Sequence, residues 1–67
     1  MVKLSDVRVG SMVMVRGNFG NGFAVRARVT AVEADIKNHR PGIDYTAVGA
    51  KSGNWAYLSQ VDSVVEY

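Results

Sequence analysis

The chain has 67 residues, 48% of them apolar and 21% charged, with eight Lys and Arg against six Asp and Glu for a net charge of +2. That balance is too apolar and too weakly charged for a disordered tail, and the length suits one small domain spanning residues 1–67. The absence of cysteine excludes a disulfide framework, a thiolate zinc site and a thiol nucleophile, so packing or self-association must supply the stability.

Residue choice points to strands. Twelve Val, two Ile and two Thr stand against eight Leu, Glu, Lys and Gln together, and branching at Cβ restricts χ1 in a helix but packs well on a pleated surface. In chain order, residues 12–15 form the first predicted strand, apolar on both faces through Met12, Val13, Met14 and Val15. Three Gly and two Asn within residues 17–22 make a loop, because both residue types adopt positive φ cheaply. From Phe23 to Ala31 the chain alternates Val25, Ala27, Val29 with Arg26, Arg28, Thr30, which predicts a half-buried strand with an arginine face in water. Residues 37–42 read as a polar turn closed by Pro41 and Gly42. A third strand is expected over residues 43–48, a connection over 49–53, a fourth strand over 54–58 and a fifth over 63–67. Residues 58–61 are too few for an α-helix and suit a single 3-10 turn. The longest apolar runs, residues 12–15 and 55–58, are far too short to span a membrane as a helix. The first six residues show no signal-peptide core, so the expected setting is cytoplasmic, with no membrane partner.

Short strands with Gly-rich turns indicate a sandwich or barrel, and only a small barrel fits this length. The opening Val9-Gly10-Ser11-Met12-Val13-Met14-Val15-Arg16 resembles the first strand of SH3-like small barrels. The loop, the long second strand, the two hairpins and the 3-10 turn within Tyr57-Leu58-Ser59-Gln60-Val61 are similar to that plan over nearly the whole chain. The resemblance implies an all-β, five-stranded SH3-like barrel with a short 3-10 turn before the last strand, and a strand plan like that of KOW and Tudor domains. The compact, cysteine-free, Gly-rich chain also resembles small phage or mobile-element products in general appearance. In size and strand order it is similar to the type II dihydrofolate reductases, which form tetramers around a pore and carry a Val-Gln-Ile-Tyr stretch. Here the matching place reads Trp55-Ala56-Tyr57-Leu58 and lacks the Gln, so the architecture transfers and the activity does not.

Catalysis requires a nucleophile with a base, paired carboxylates, or metal ligands. The single His39 stands in the 37–42 turn with no partner at ligand spacing, as a solvated turn histidine does. Glu33 and Asp35, two apart, fall on one strand face and are expected to solubilise a strand end or to pair with Arg26 or Arg28. The loop at residues 17–22 lacks the Gly-Lys-Ser/Thr ending and the following helix that a phosphate loop requires. No enzyme, cofactor or metal site is therefore expected. The candidate binding residues are Phe19, Phe23, Arg26, Arg28, Arg40, Trp55 and Tyr57. If Ala56 and Leu58 point inward, Trp55 and Tyr57 face outward together; in the opposite register both are core.

The leading expectation is a non-enzymatic barrel that binds a protein partner through the 17–22 loop, the 37–42 turn and the Arg26/Arg28 face, with alteration of a host protein as the role if the chain is phage-encoded. The second is single-stranded nucleic acid, with bases on the aromatics and phosphates on Arg26, Arg28 and Arg40. The net charge of +2 and the acids Glu33, Asp35 and Asp44 weigh against a strong form of it. The third, disfavoured, is a homo-oligomeric enzyme resembling the type II dihydrofolate reductases, or a structural subunit, with a partner copy covering Met12 and Met14.

Overall fold

The computed structural model describes residues 2–17 and 21–67. These residues form five strands: β1 (Met12–Arg16), β2 (Ala24–Lys37), β3 (Arg40–Ala47), β4 (Asn54–Tyr57) and β5 (Val61–Glu66). Among the described residues two single-turn 3-10 helices accompany them, Leu4–Asp6 before β1 and Leu58–Gln60 between β4 and β5. The second lies where the sequence placed it; nothing in the sequence reading pointed to the first. Every pairing is antiparallel, and the strands lie in the order β4-β3-β2-β1-β5. The protein is thus all-β, with β4 and β5 at opposite edges. No ladder joins those edges among the described residues, so the sheet is not closed by hydrogen bonding.

β1 carries out its two-faced pattern. Val13 and Val15 are fully buried, while Met12 and Met14 point the other way and are half-buried. β2 is long enough to serve two partners. Residues 24–28 pair with β1, and residues from Ala27 onward pair with β3. Between them, Val29 faces Tyr45 and Ala31 faces Asp44, so Thr30 is an extra residue on β2. Such a bulge bends a strand and increases its twist. The bend lets both halves of β2 cover one core of Val7, Val13, Val15, Ala27, Val29, Ile43, Tyr45, Ala56, Leu58 and Val61. Each fully buried Val or Ile there contributes about 1.5–3 kcal/mol by leaving water.

Two buried polar side chains lock the ends of this core. Ser11 accepts the Arg8 N–H at 2.9 Å and donates to the Tyr67 carbonyl oxygen at 2.9 Å. Gln60 accepts the Tyr57 N–H at 3.0 Å and donates to the Arg16 carbonyl at 2.7 Å, tying the 3-10 turn to β1. Arg16 also pairs with Asp62 across the β1–β5 ladder at 2.9 Å.

The β2–β3 hairpin departs from the sequence expectation. β2 does not stop near Ala31 but runs on to Lys37, and Pro41 and Gly42 lie inside β3 rather than in a turn. The turn is made by Asn38 and His39, both at positive φ (55° and 59°) between the paired Lys37 and Arg40. That is a two-residue connection of the kind whose twist matches a hairpin, with Asn in a favoured place. Between the Glu33–Gly42 and Lys37–Arg40 pairs, three residues of β2 oppose Pro41 alone. A proline, having no N–H, is tolerated at such an interruption of the ladder. β5 likewise starts two residues earlier than expected, directly after the 3-10 turn.

Candidate functional site

The register of β4 follows from Ala56, which is fully buried against the core beside Leu58. Trp55 and Tyr57 therefore share the opposite face, where they pair across the ladder with Asp44 and Gly42. Tyr57 is nonetheless buried, without being part of the core cluster. What covers it is the tip of the β2–β3 hairpin. A Cβ on Gly42 would collide with the Ile36 side chain and the Ala56 carbonyl oxygen, so the extra residues of β2 fold tightly onto β3 only because position 42 is glycine.

The tip brings three polar side chains onto the aromatic pair. The rings of Trp55 and Tyr57 stand edge to face with centroids 5.1 Å apart. The Arg40 guanidinium lies 4.0 Å from the Tyr57 centroid and donates to Ser59 Oγ at 3.1 Å. The Lys37 ammonium lies 4.8 Å from the Trp55 centroid. Asn38 Nδ2 donates to Tyr57 Oη at 3.0 Å. Cations over aromatic faces contribute about 0.5–1 kcal/mol each at exposed sites, so the cluster holds the tip down and keeps both cations in place. Neither Lys37 nor Arg40 has a carboxylate within ion-pair distance among the described residues.

The remaining predicted residues fall elsewhere. Arg26 and Arg28 are exposed on β2, opposite Met14 and Met12 of β1. Arg28 donates to the Gly10 carbonyl at 2.7 Å. Neither pairs with Glu33, Asp35 or Asp44. Asp35 instead accepts the His39 N–H at 3.0 Å and faces His39 Nδ1 at 3.1 Å, because the two-residue turn returns the chain directly over it. His39 is fully solvated apart from this contact, with its side chain 96% exposed. Phe23 is 92% exposed just before β2, at the end of the strand away from the tip. Phe19 lies outside the described residues. The structure therefore brings together Arg40, Trp55 and Tyr57 and leaves Phe23, Arg26 and Arg28 apart from them.

A second feature was not anticipated. Val9, Gly10, Met12, Arg28, Thr46 and Val48 line a hollow of about 770 Å³ across β1, β2 and β3 at the end opposite the hairpin tip. Val9 and Val48 are each 66% exposed there. Arg28 forms one wall, fixed by its bond to Gly10. A smaller hollow of about 290 Å³ beside Trp55, lined by Thr30 and Asp44, shares Thr30 with it and lies toward β4. Val9 and Val48 each precede a turn glycine at positive φ, Gly10 and Gly49, and both are left exposed beside the sheet.

Among the described residues no three His, Asp or Glu side chains gather as metal ligands, and no helix is long and apolar enough to cross a membrane. The chain matches no known family, no characterised protein and no solved structure.

Proposed function

We propose that this protein is a non-enzymatic binding module of the SH3-like small-barrel type, and that it takes an extended segment of a partner protein in the hollow lined by Val9, Met12, Arg28, Thr46 and Val48. The barrel reading is supported by the strand order, by the sharing of β2 between two halves of the sheet, and by the 3-10 turn before β5. The overall extents of 30 × 24 × 21 Å support it as well, since a flat single sheet is only on the order of 10 Å thick.

The observation that carries the binding reading is the exposure of Val9 and Val48 on either side of a concave, mostly apolar depression. Contiguous exposed apolar surface on a small soluble domain marks interaction sites. A segment lying there would gain from burying these two valines and Met12, with the Arg28 guanidinium available at the wall for a carbonyl or carboxylate. The partner class favoured is protein rather than nucleic acid, because the hollow offers apolar side chains where phosphate contacts would require a row of cations.

The test is selection of peptides from a random library on the immobilised protein, followed by mapping of the bound peptide by amide chemical shifts. Shifts should concentrate on residues 9–12, 28–30 and 46–50. Val48→Asp, an exposed change, should lower affinity at least ten-fold while leaving the dispersion of the spectrum intact. Selected peptides whose shifts lie elsewhere, or that bind Val48→Asp unchanged, would refute the proposal.

A further inference from the structure

The hairpin tip carries two costs beside the cation–aromatic contacts that hold it down. Lys37 and Arg40 are directly opposed across the hairpin, and like charges in that position repel. The adjoining turn holds His39 at φ 59°, a conformation that a Gly would adopt without strain. Backbone strain of this kind clusters at binding and catalytic sites. Both cations are also immobilised, Arg40 by Tyr57 and Ser59 and Lys37 by Trp55. The result is a pair of positive charges on one hairpin end, oriented in advance and balanced by no carboxylate among the described residues.

We infer that this tip is an anion site, separate from the apolar hollow, in which Lys37 and Arg40 jointly hold a phosphate monoester. Charge decides the class. A phosphate monoester carries about −1.5 to −2 at neutral pH, which matches two cations. The guanidinium presents a planar fork suited to two phosphate oxygens, and the ammonium acts as a point charge on a third. Arg40 has one donor engaged on Ser59 Oγ, and a guanidinium carries five. A bridging dianion removes the repulsion between the opposed cations, so binding also stabilises the hairpin tip. Asp35, which lies in the same hairpin, is turned to His39 and does not compete for them.

The experiment is a titration of the isotopically labelled protein at low ionic strength, with chloride added to a reference sample at matched ionic strength. The probes are inorganic phosphate, phosphoserine and a 5′-mononucleotide, the three separating a bare anion, a modified side chain and a nucleotide as sources. The expected result is a saturable shift of the Lys37–Arg40 amides and the Trp55 indole N–H with at least one probe, and no such shift with chloride. Lys37→Gln and Arg40→Gln should each weaken binding about five- to ten-fold, while Arg26→Gln, which removes an equal charge from the same chain, should not. Because Arg40 packs on Tyr57, Lys37→Gln is the variant that keeps the test decisive if Arg40→Gln loosens the tip. Absence of a saturable shift with all three probes would overturn the inference, as would an equal loss in Arg26→Gln. Failure here leaves the peptide-binding hollow untouched, since its variants and shifts involve other residues.

Discussion

Gly42 shows how one residue decides a local architecture. Position 42 faces Tyr57 on one side and Glu33 on the other, and it lies beneath Ile36. Adding a single methyl there meets a backbone carbonyl, which cannot move as a flexible side-chain end can. Gly42→Ala should therefore cost about 1–3 kcal/mol through overpacking, read as a lower urea midpoint with an unchanged slope. Position 39 has the opposite sign. His39→Gly relieves a left-handed φ and keeps the backbone N–H that Asp35 accepts, so it should raise stability by roughly 0.5–1 kcal/mol. A loss of stability would show that the ring contact with Asp35 outweighs the backbone strain. Gln60 belongs to the same scale. Both ends of its amide are used, on Tyr57 and Arg16, and Gln60→Leu would strand a buried carbonyl and a buried N–H at a cost of about 1–3 kcal/mol.

At the level of elements, what was legible from sequence depended on whether a strand obeyed a single period. β1 is apolar on both faces, so its period alone did not mark the core side; in the first half of β2 the buried Ala27 and Val29 and the exposed Arg26 and Arg28 were readable by alternation, with Val25 exposed against it. The second half of β2 was not readable in this way, because Thr30 and the three residues opposite Pro41 shift the register twice. The single extra residue at Thr30 moves the period to the other face, while the second shift adds two residues and interrupts the ladder between Glu33 and Lys37, where Asp35 turns to His39. The turn was misplaced for a related reason. Pro-Gly is a strong turn signal and Asn-His a weak one, yet the proline occupies a bulge and the glycine a close approach. Register also governed the candidate site. The alternation at Trp55-Ala56-Tyr57 allowed two answers, and only the burial of Ala56 selects the outward face for the aromatics. That Tyr57 is then covered by Asn38 and Arg40, with Lys37 over Trp55, depends on a hairpin extension that no period could reveal. Arg40, Trp55 and Tyr57 could thus be singled out one by one from sequence, while their union into one cluster could not.

For the molecule as a whole, the question is whether the tip cluster and the core behave as one unit. The two share β3 and β4: Ile43, Tyr45 and Ala56 face the core, while Gly42, Trp55 and Tyr57 face the tip. The strands are continuous through both, so the tip cannot lose its backing without exposing core residues one position away. Small domains of this size unfold cooperatively as a rule, and here the shared strands give the rule a structural cause. Trp55 is the single tryptophan and lies on the tip side, so its fluorescence reports that cluster, whereas far-UV circular dichroism reports the sheet. The two urea transitions are expected to coincide in midpoint and slope. Lys37→Gln removes one exposed cation–aromatic contact together with the repulsion from Arg40, and should move both transitions by the same amount, within about 1 kcal/mol. A fluorescence transition that precedes the loss of the sheet would mean that the hairpin end opens on its own. The ordered pair of cations would then exist for only part of the time, and phosphate binding would be weaker by the fraction of molecules in which the tip is open.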